Sequence, residues 1–270
     1  MIKVHTHSNT FWEFQTSIKN LALAQKYQIA LDLFNHERFP EAIEYLSNLI
    51  LHFPPHPEVL TLLSDACDQE DDLPMAYLAA ALAHQLYQAA LPKDFIPGKH
   101  FLPWGYPGNQ AFLHNCRHLA DLYDETGNQK GCREICEWTL KIDPADELGL
   151  RTLLPKVYME EKNIIAMHRL YRQYPEDYVP EILFGALYLA IVNSDTNTAS
   201  RLWREAELEF PLVITELLKT HHEAPPDYDP DIAYYSDTEE MAWSYWVFYG
   251  GLWQEHPKVV NYLEEKRKCL

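Results

Sequence analysis

Glycine is scarce in this chain, with 9 residues in 270, and no cluster of them follows the spacing of a phosphate-cradling loop or a dinucleotide fingerprint. Nucleophile elbows and HExxH motifs are absent as well, so the sequence points to a non-enzyme. The five cysteines (Cys67, Cys116, Cys132, Cys136 and Cys269) are odd in number, and four sit in helical patterns. That usage excludes a disulfide framework and reads as small buried hydrophobes in a reducing compartment. Cations are also in deficit: 22 Lys and Arg face 40 Asp and Glu, for a net charge of -18. Such a surface repels phosphate backbones and anionic headgroups, which argues against nucleic-acid and membrane partners. No run of about 18 apolar residues exists to span a bilayer. Residues 1–7 lack the apolar stretch of a secretory leader. A cytoplasmic protein without a cofactor is the expectation.

What the chain does have is apolar residues, 47% of the total, and they recur with a period. Ala42 is answered by Ala76 and Cys132 by Ala166, each 34 residues on. Leu119, Ala120 and Tyr123 precede Cys132 as Ile29, Ala30 and Leu33 precede Ala42. Small residues at a fixed period let helices approach closely, and a period of this length is that of tetratricopeptide helical hairpins. Five such hairpins are predicted, at about 23–56, 57–90, 113–146, 147–175 and 180–213. Pro40 suits the first turn of a helix, Gly127 a helix end with positive φ, and Pro54, Pro55 and Pro57 a break between hairpins.

Two stretches leave the period. Residues 91–112 hold four prolines and three glycines, which exclude a regular helix. They also hold Phe95, Phe101, Trp104, Tyr106 and Phe112, too apolar for a solvated linker. An ordered loop packed back on the stack is expected. After residue 213, Pro225-Pro226-Asp227-Tyr228 is extended, and Ser236 to Glu239 reads as a capping box. The helix it opens carries Met241, Trp243, Tyr245, Trp246, Phe248 and Tyr249, and a short helix over about 257–267 follows. A terminal repeat exposes an apolar face and needs a cap. The predicted fold is therefore all-α, one right-handed α-solenoid. Its parts are an N-terminal segment (1–22), two tetratricopeptide-like repeats (23–90), the aromatic loop (91–112), three more repeats (113–213) and a C-terminal aromatic cap (214–270). The 241–253 helix could alternatively join two copies as a homo-oligomer.

Longer segments are similar to the suppressor-of-tumorigenicity-seven family and its bacterial relatives. These are Trp104 to Tyr123, Leu140 to Arg151, Tyr171 to Asp177, Ala199 to Pro211, and the coda Pro225 to Tyr228 with Ser236 to Glu240. The resemblance covers roughly residues 95–260. It departs at Asn109-Gln110-Ala111-Phe112, where members show Asn-Arg-Pro-Phe, and in the membrane segments that animal members carry. It implies a helical-repeat fold that binds proteins, and no catalytic residues.

In hairpins of tetratricopeptide type, the first helix lines a groove. The corresponding positions are His114, Arg117, Asp121 and Asp124, then Leu148, Arg151, Pro155 and Tyr158, then Glu181, Phe184, Tyr188 and Ile191. Arg117 and Arg151 occupy matching positions and would hold a carboxylate through charge-assisted bonds, unless Asp121 or Asp124 on the same helix takes the charge. Tyr158, Phe184 and Tyr188 would offer an apolar anchor pocket, unless the C-terminal cap covers them. The expected function is thus a scaffold for a protein or peptide held by His114, Arg117, Asp121, Arg151, Tyr158, Phe184 and Tyr188, with Trp104, Tyr106 and Asn109 of the loop as a second surface. One alternative is a small-molecule or peptide sensor with a pocket under the Trp104 loop. Another is an enzyme with a metal among His114, Cys116, His118, Cys132 and Cys136; zinc needs about four converging ligands, so core cysteines are the simpler reading and no metal is expected. His5, His7, His221 and His222 read as isolated surface residues.

Overall fold

A computed structural model describes the chain except residues 1, 16–17, 176–178, 227, 231, 233, 235–236 and 269–270. The fold is mostly helical and built of helical hairpins. It divides into two compact units, Met1–Leu150 and Arg151–Leu270, where the sequence suggested one continuous domain.

The hairpins share one turn. In each, the connection places a single residue in the left-handed region: Glu37, Asp71, Gly127, Lys162 and Ser194, all with φ between 55° and 71°. The next residue starts the second helix. Asp72, Asn128, Asn163 and Asp195 each accept a hydrogen bond from the amide three residues on, a side-chain N-cap; Arg38 in the first hairpin does not. Only Gly127 among the five takes its φ without a Cβ penalty.

In the first unit the hairpins are α1 (Leu21–Asn35) with α2 (Phe39–His52), α3 (Pro57–Asp68) with α4 (Leu73–Ala90), and α5 (Pro107–Glu125) with α6 (Gln129–Ile142). Ala42, Ala76, Ala80 and Cys132 are fully buried where these helices meet, as the period requires. Asp71 and Gly127 are 56 residues apart, one period plus 22 inserted residues. The non-helical part of the insertion, 91–106, is shorter than the composition suggested, because α5 begins at Pro107 rather than 113. Proline costs nothing at the first helical position, where no amide is needed.

Before α1 stand two strands that the helical period gave no sign of, β1 (Lys3–Thr6) and β2 (Trp12–Gln15), antiparallel in the register His5 to Glu13. Their alternation sends Trp12 and Phe14 inward and His5, His7 and Glu13 to the other face. Phe14 is buried edge-on against Tyr87 of α4 and Phe112 of α5, at 5.2 and 5.0 Å between ring centroids. Trp12 packs on Phe95 and His100 of the insertion. The insertion runs between this hairpin and the end of α6, with Trp12 N donating to Phe101 O and Leu102 N to Ile142 O.

Asn109, in the first turn of α5, joins these pieces. Fully buried, it accepts from Phe14 N (3.1 Å) and donates to Trp12 O (3.0 Å) and Pro103 O (3.1 Å). Gly108 beside it is dictated by close approach: a Cβ there would collide with the Phe14 carbonyl oxygen. Asn109 is therefore a structural staple and not the exposed binding residue expected of it.

The second unit contains α7 (Leu154–Glu160), α8 (Ile164–Gln173), α9 (Pro180–Val192), α10 (Thr196–Glu209), α11 (Pro211–Leu218), α12 (Glu239–Glu255) and α13 (Pro257–Arg267). Helix α9 is apolar on every side, so it must be buried all round, and of its residues only Glu181 is not buried. Helices α7, α8, α10, α12 and α13 all contact it. The start of α12 is set by Thr238, whose side chain accepts from Met241 N, while Asp237 accepts from Leu212 N at the start of α11. The N-cap thus lies two residues after the expected Ser236, with Met241 and not Glu239 at its third helical position; Ser236 lies outside the described residues.

Two substitutions test this account in urea unfolding. Asn109→Ala strands the Phe14 amide and the Trp12 carbonyl in the core and should cost on the order of 3 kcal/mol. Lys162→Gly removes the Cβ penalty of a left-handed residue in an exposed turn and should raise stability by roughly 0.5 kcal/mol, the strain relieved less the added chain entropy.

Candidate functional site

The first helices of the three hairpins in the first unit, α1, α3 and α5, line a cleft of about 730 Å³ with Trp104 of the insertion at its edge. That volume is in the range of ligand and side-chain pockets. Tyr27, Leu31 and Phe34 come from α1, Glu58, Thr61, Asp65 and Asp68 from α3, and Gln110, Ala111, His114 and His118 from α5. Gln110 donates to the Trp104 carbonyl at 3.3 Å, fixing the insertion to α5 next to the cleft.

The lining combines aromatic faces with carboxylates and contains neither lysine nor arginine. Burial, with Glu58 and Asp65 nearby, pushes the Tyr27 phenol well up, so it stays neutral. Asp65 meets His114 Nε2 at 3.1 and 3.2 Å. That hydrogen bond outweighs burial and holds the His114 pKa above its ordinary 6.5. The Thr61 hydroxyl oxygen is buried in the wall without a hydrogen-bond partner.

Ser64, His118 and Asp65 are neighbours, yet they do not form a nucleophilic triad. The Ser64 hydroxyl donates to Ala76 O at 2.7 Å, so His118 Nε2 must donate to Ser64 Oγ at 2.8 Å. Asp65 approaches that same nitrogen, at 3.8 Å, and not the far side of the ring. The proton runs in the wrong direction for a base activating a hydroxyl, and Ser64 is fully buried.

The Cys/His set considered for a metal does not converge. His118 faces Ser64, whereas the Cys116 sulfur meets His84 Nδ1 at 3.7 Å. Burial pushes the Cys116 thiol up to about 12, and contact with Cys132 together with burial raises that of Cys136. Cys67, Cys116, Cys132 and Cys136 are free, buried thiols. Cys269 lies outside the described residues.

The other predicted site residues fare unequally. His114 is exposed at the cleft. Arg117 is spent within its own unit, bonding Asp121 at 2.8 Å and the carbonyls of Leu148 and Gly149 at 2.9 and 3.1 Å. Asp121 is thus the partner that takes the charge, and no carboxylate clamp is left at Arg117. Arg151 belongs to the second unit, where its guanidinium lies over the Tyr174 ring at 5.3 Å. Tyr158, Phe184 and Tyr188 are buried in that unit and do not form an anchor pocket. Phe184 packs on Tyr245 at 5.2 Å, and Tyr188 on Trp253 at 5.7 Å, so α12 fills the space a peptide would need. The helix spends Tyr245, Tyr249 and Trp253 in this way, and its exposed apolar residues are Val247 and Phe248. Tyr106 stacks on His7 at 4.4 Å.

The groove read from the sequence lay on the first helices of the third to fifth hairpins, whereas the cleft is lined by those of the first three, so the two share only α5 and His114. Tyr27, Glu58 and Asp65 went unnoticed because nothing local marks them; the signal is that they occupy first helices of successive hairpins, as His114 does.

No helix among the described residues is long and apolar enough to cross a membrane. Comparison with curated proteins finds no match. A family model described as transcriptional repressor TCF25 matches residues 12–264. The match starts in β2 and runs into α13, whereas the resemblance to the suppressor-of-tumorigenicity-seven family began only near residue 95. It corrects that resemblance, although the resemblance was carried by segments flanking the repeats, and it gives no support to the tetratricopeptide name. With nearly its whole length matched, the chain belongs to the transcriptional repressor TCF25 family.

Proposed function

We propose that the protein is a non-enzymatic interaction module whose first unit holds a basic segment of a partner protein in the α1/α3/α5 cleft. The observation that carries this reading is the lining itself: Tyr27, Phe34 and Trp104 supply ring faces, and Glu58, Asp65 and Asp68 supply negative charge. A lysine or arginine side chain gains from both, through cation–π attraction and charge-assisted hydrogen bonds. The net charge of -18 adds long-range steering of a cationic partner. This partner chemistry is the opposite of the carboxylate first expected at Arg117.

The family description suggests a part in repressing transcription. An acidic chain meets a phosphate backbone poorly, so the role we favour is contact with basic proteins and not with the duplex. The same description favours the nucleus as a place of action beside the cytoplasm. A small cationic molecule in the cleft is the second reading, supported by its volume.

Titration with a lysine- and arginine-rich peptide, followed by calorimetry and Trp fluorescence, tests the proposal. Saturable binding should weaken about tenfold or more in the Glu58→Gln, Asp65→Asn double variant, a loss of about 1.4 kcal/mol, and should weaken with added salt. An acidic peptide of equal length should not bind. Equal affinity of wild type and double variant would remove the cleft from the function.

The pH dependence has a definite sign. His114 is raised above 6.5, so its ion pair with Asp65 is fully formed below that value and is lost as pH rises through the raised pKa. Loss of the pair frees the Asp65 charge for a ligand. Peptide affinity should therefore rise between about pH 6 and 8, and His114→Gln should flatten the rise. A wild-type affinity that is constant over this range would contradict the competition.

A further inference from the structure

We infer that His5, His7 and Glu13 form a binding site for one divalent transition-metal ion of the zinc class. The three residues lie on the outward face of the N-terminal β-hairpin. His5 and His7 are two apart on β1 and its extension, so their side chains share a face, and Glu13 stands directly opposite His5 on β2. One nitrogen from each imidazole and one carboxylate oxygen lie within 4.8 Å of one another. Glu13 Oε2 is 2.6 Å from His7 Nε2 and 3.4 Å from His5 Nε2. Ligand atoms around a tetrahedral zinc, each about 2.0–2.2 Å from the metal, are roughly 3.4 Å apart, so the Glu13–His5 pair fits as it stands and the Glu13–His7 hydrogen bond opens by less than about 1 Å on binding.

The ligands are also held from behind. Glu13 Oε1 accepts from Gly108 N at 3.0 Å, which leaves Oε2 for the two histidines. The His7 ring is stacked on Tyr106 at 4.4 Å, with an interplanar angle of 18°. Outer partners of this kind fix ligand orientation and raise affinity. The side chains retain 38%, 37% and 15% exposure, enough for an ion to enter from solvent and keep water in its remaining position. Two imidazoles and a carboxylate suit zinc, copper, nickel or cobalt, whereas calcium and magnesium prefer all-oxygen sets. Among the described residues this is the one set of His, Cys, Asp or Glu that converges so. Because Glu13 is tied to α5 through Gly108, an ion here would pin β1 and β2 to the start of α5.

The test uses the full chain free of any affinity tag and stripped of metal with EDTA. Zinc calorimetry, repeated with cobalt to read its ligand-field absorption, should give one ion per chain. Bound zinc should raise the thermal midpoint, since it binds the folded state. His5→Gln and His7→Gln should each weaken zinc binding by about 100-fold or more, beyond the usual loss from an outer-shell change. His221→Gln, at an exposed histidine elsewhere, should leave it unchanged. Melting in EDTA checks that the variants are folded. Absence of saturable binding by the wild type would overturn the assignment, as would stoichiometric binding kept by a folded His5→Gln, His7→Gln double variant.

Discussion

The first unit depends on one buried amide. Asn109 uses a carbonyl oxygen and both amide protons to hold β2, the insertion and the first turn of α5 together. A four-residue strand pair is too short to be stable by itself, and the insertion is laid between it and the end of α6 by backbone bonds from Phe101 N to Thr10 O and from Leu102 N to Ile142 O. Tied to α5, the hairpin buries Phe14 between Tyr87 and Phe112, and the insertion brings Trp104 to the edge of the cleft. The same tie sets Glu13 against Gly108 and so against the two histidines. Both sites read from this unit follow from how the chain enters α5.

The second unit solves a different problem. Helix α9 has no polar face, so it cannot stay folded in water without cover on every side. The aromatic residues of α12 provide part of that cover: Tyr245 and Trp253 contact Phe184, and the Trp253 indole donates to the Tyr245 hydroxyl at 2.9 Å. Residues that look adhesive in the sequence are thus consumed in the interior. The first unit, by contrast, keeps an open cleft lined by carboxylates.

Much of the helical architecture was legible because it is written locally. The 34-residue period, the small residues at its packing points and the polar caps of the second helices all depend on neighbours within one hairpin. What was not legible depends on distant neighbours. The strand pair gives too short an alternation to register, and its stability comes from Asn109, about 95 residues away. Arg117 looked available because its acceptors at Leu148 and Gly149 lie in another element. Tyr188 looked like a groove residue until α12 was placed over it. Of the cleft, the sequence named His114 and Trp104, but Tyr27 and Asp65 went unread because their place on the first helices of successive hairpins carries no local motif.

The central claim, that the α1/α3/α5 cleft receives a cationic side chain, is tested most directly by chemical-shift mapping. Isotope-labelled protein would be titrated with a basic peptide while the amides of α1, α3 and α5 and the Trp104 indole are followed. The account predicts saturable shifts clustered at Tyr27, Thr61, Asp65, His114 and Trp104, with the interior of α9 unchanged. Shifts scattered over acidic surface residues, or centred on Val247 and Phe248, would contradict it.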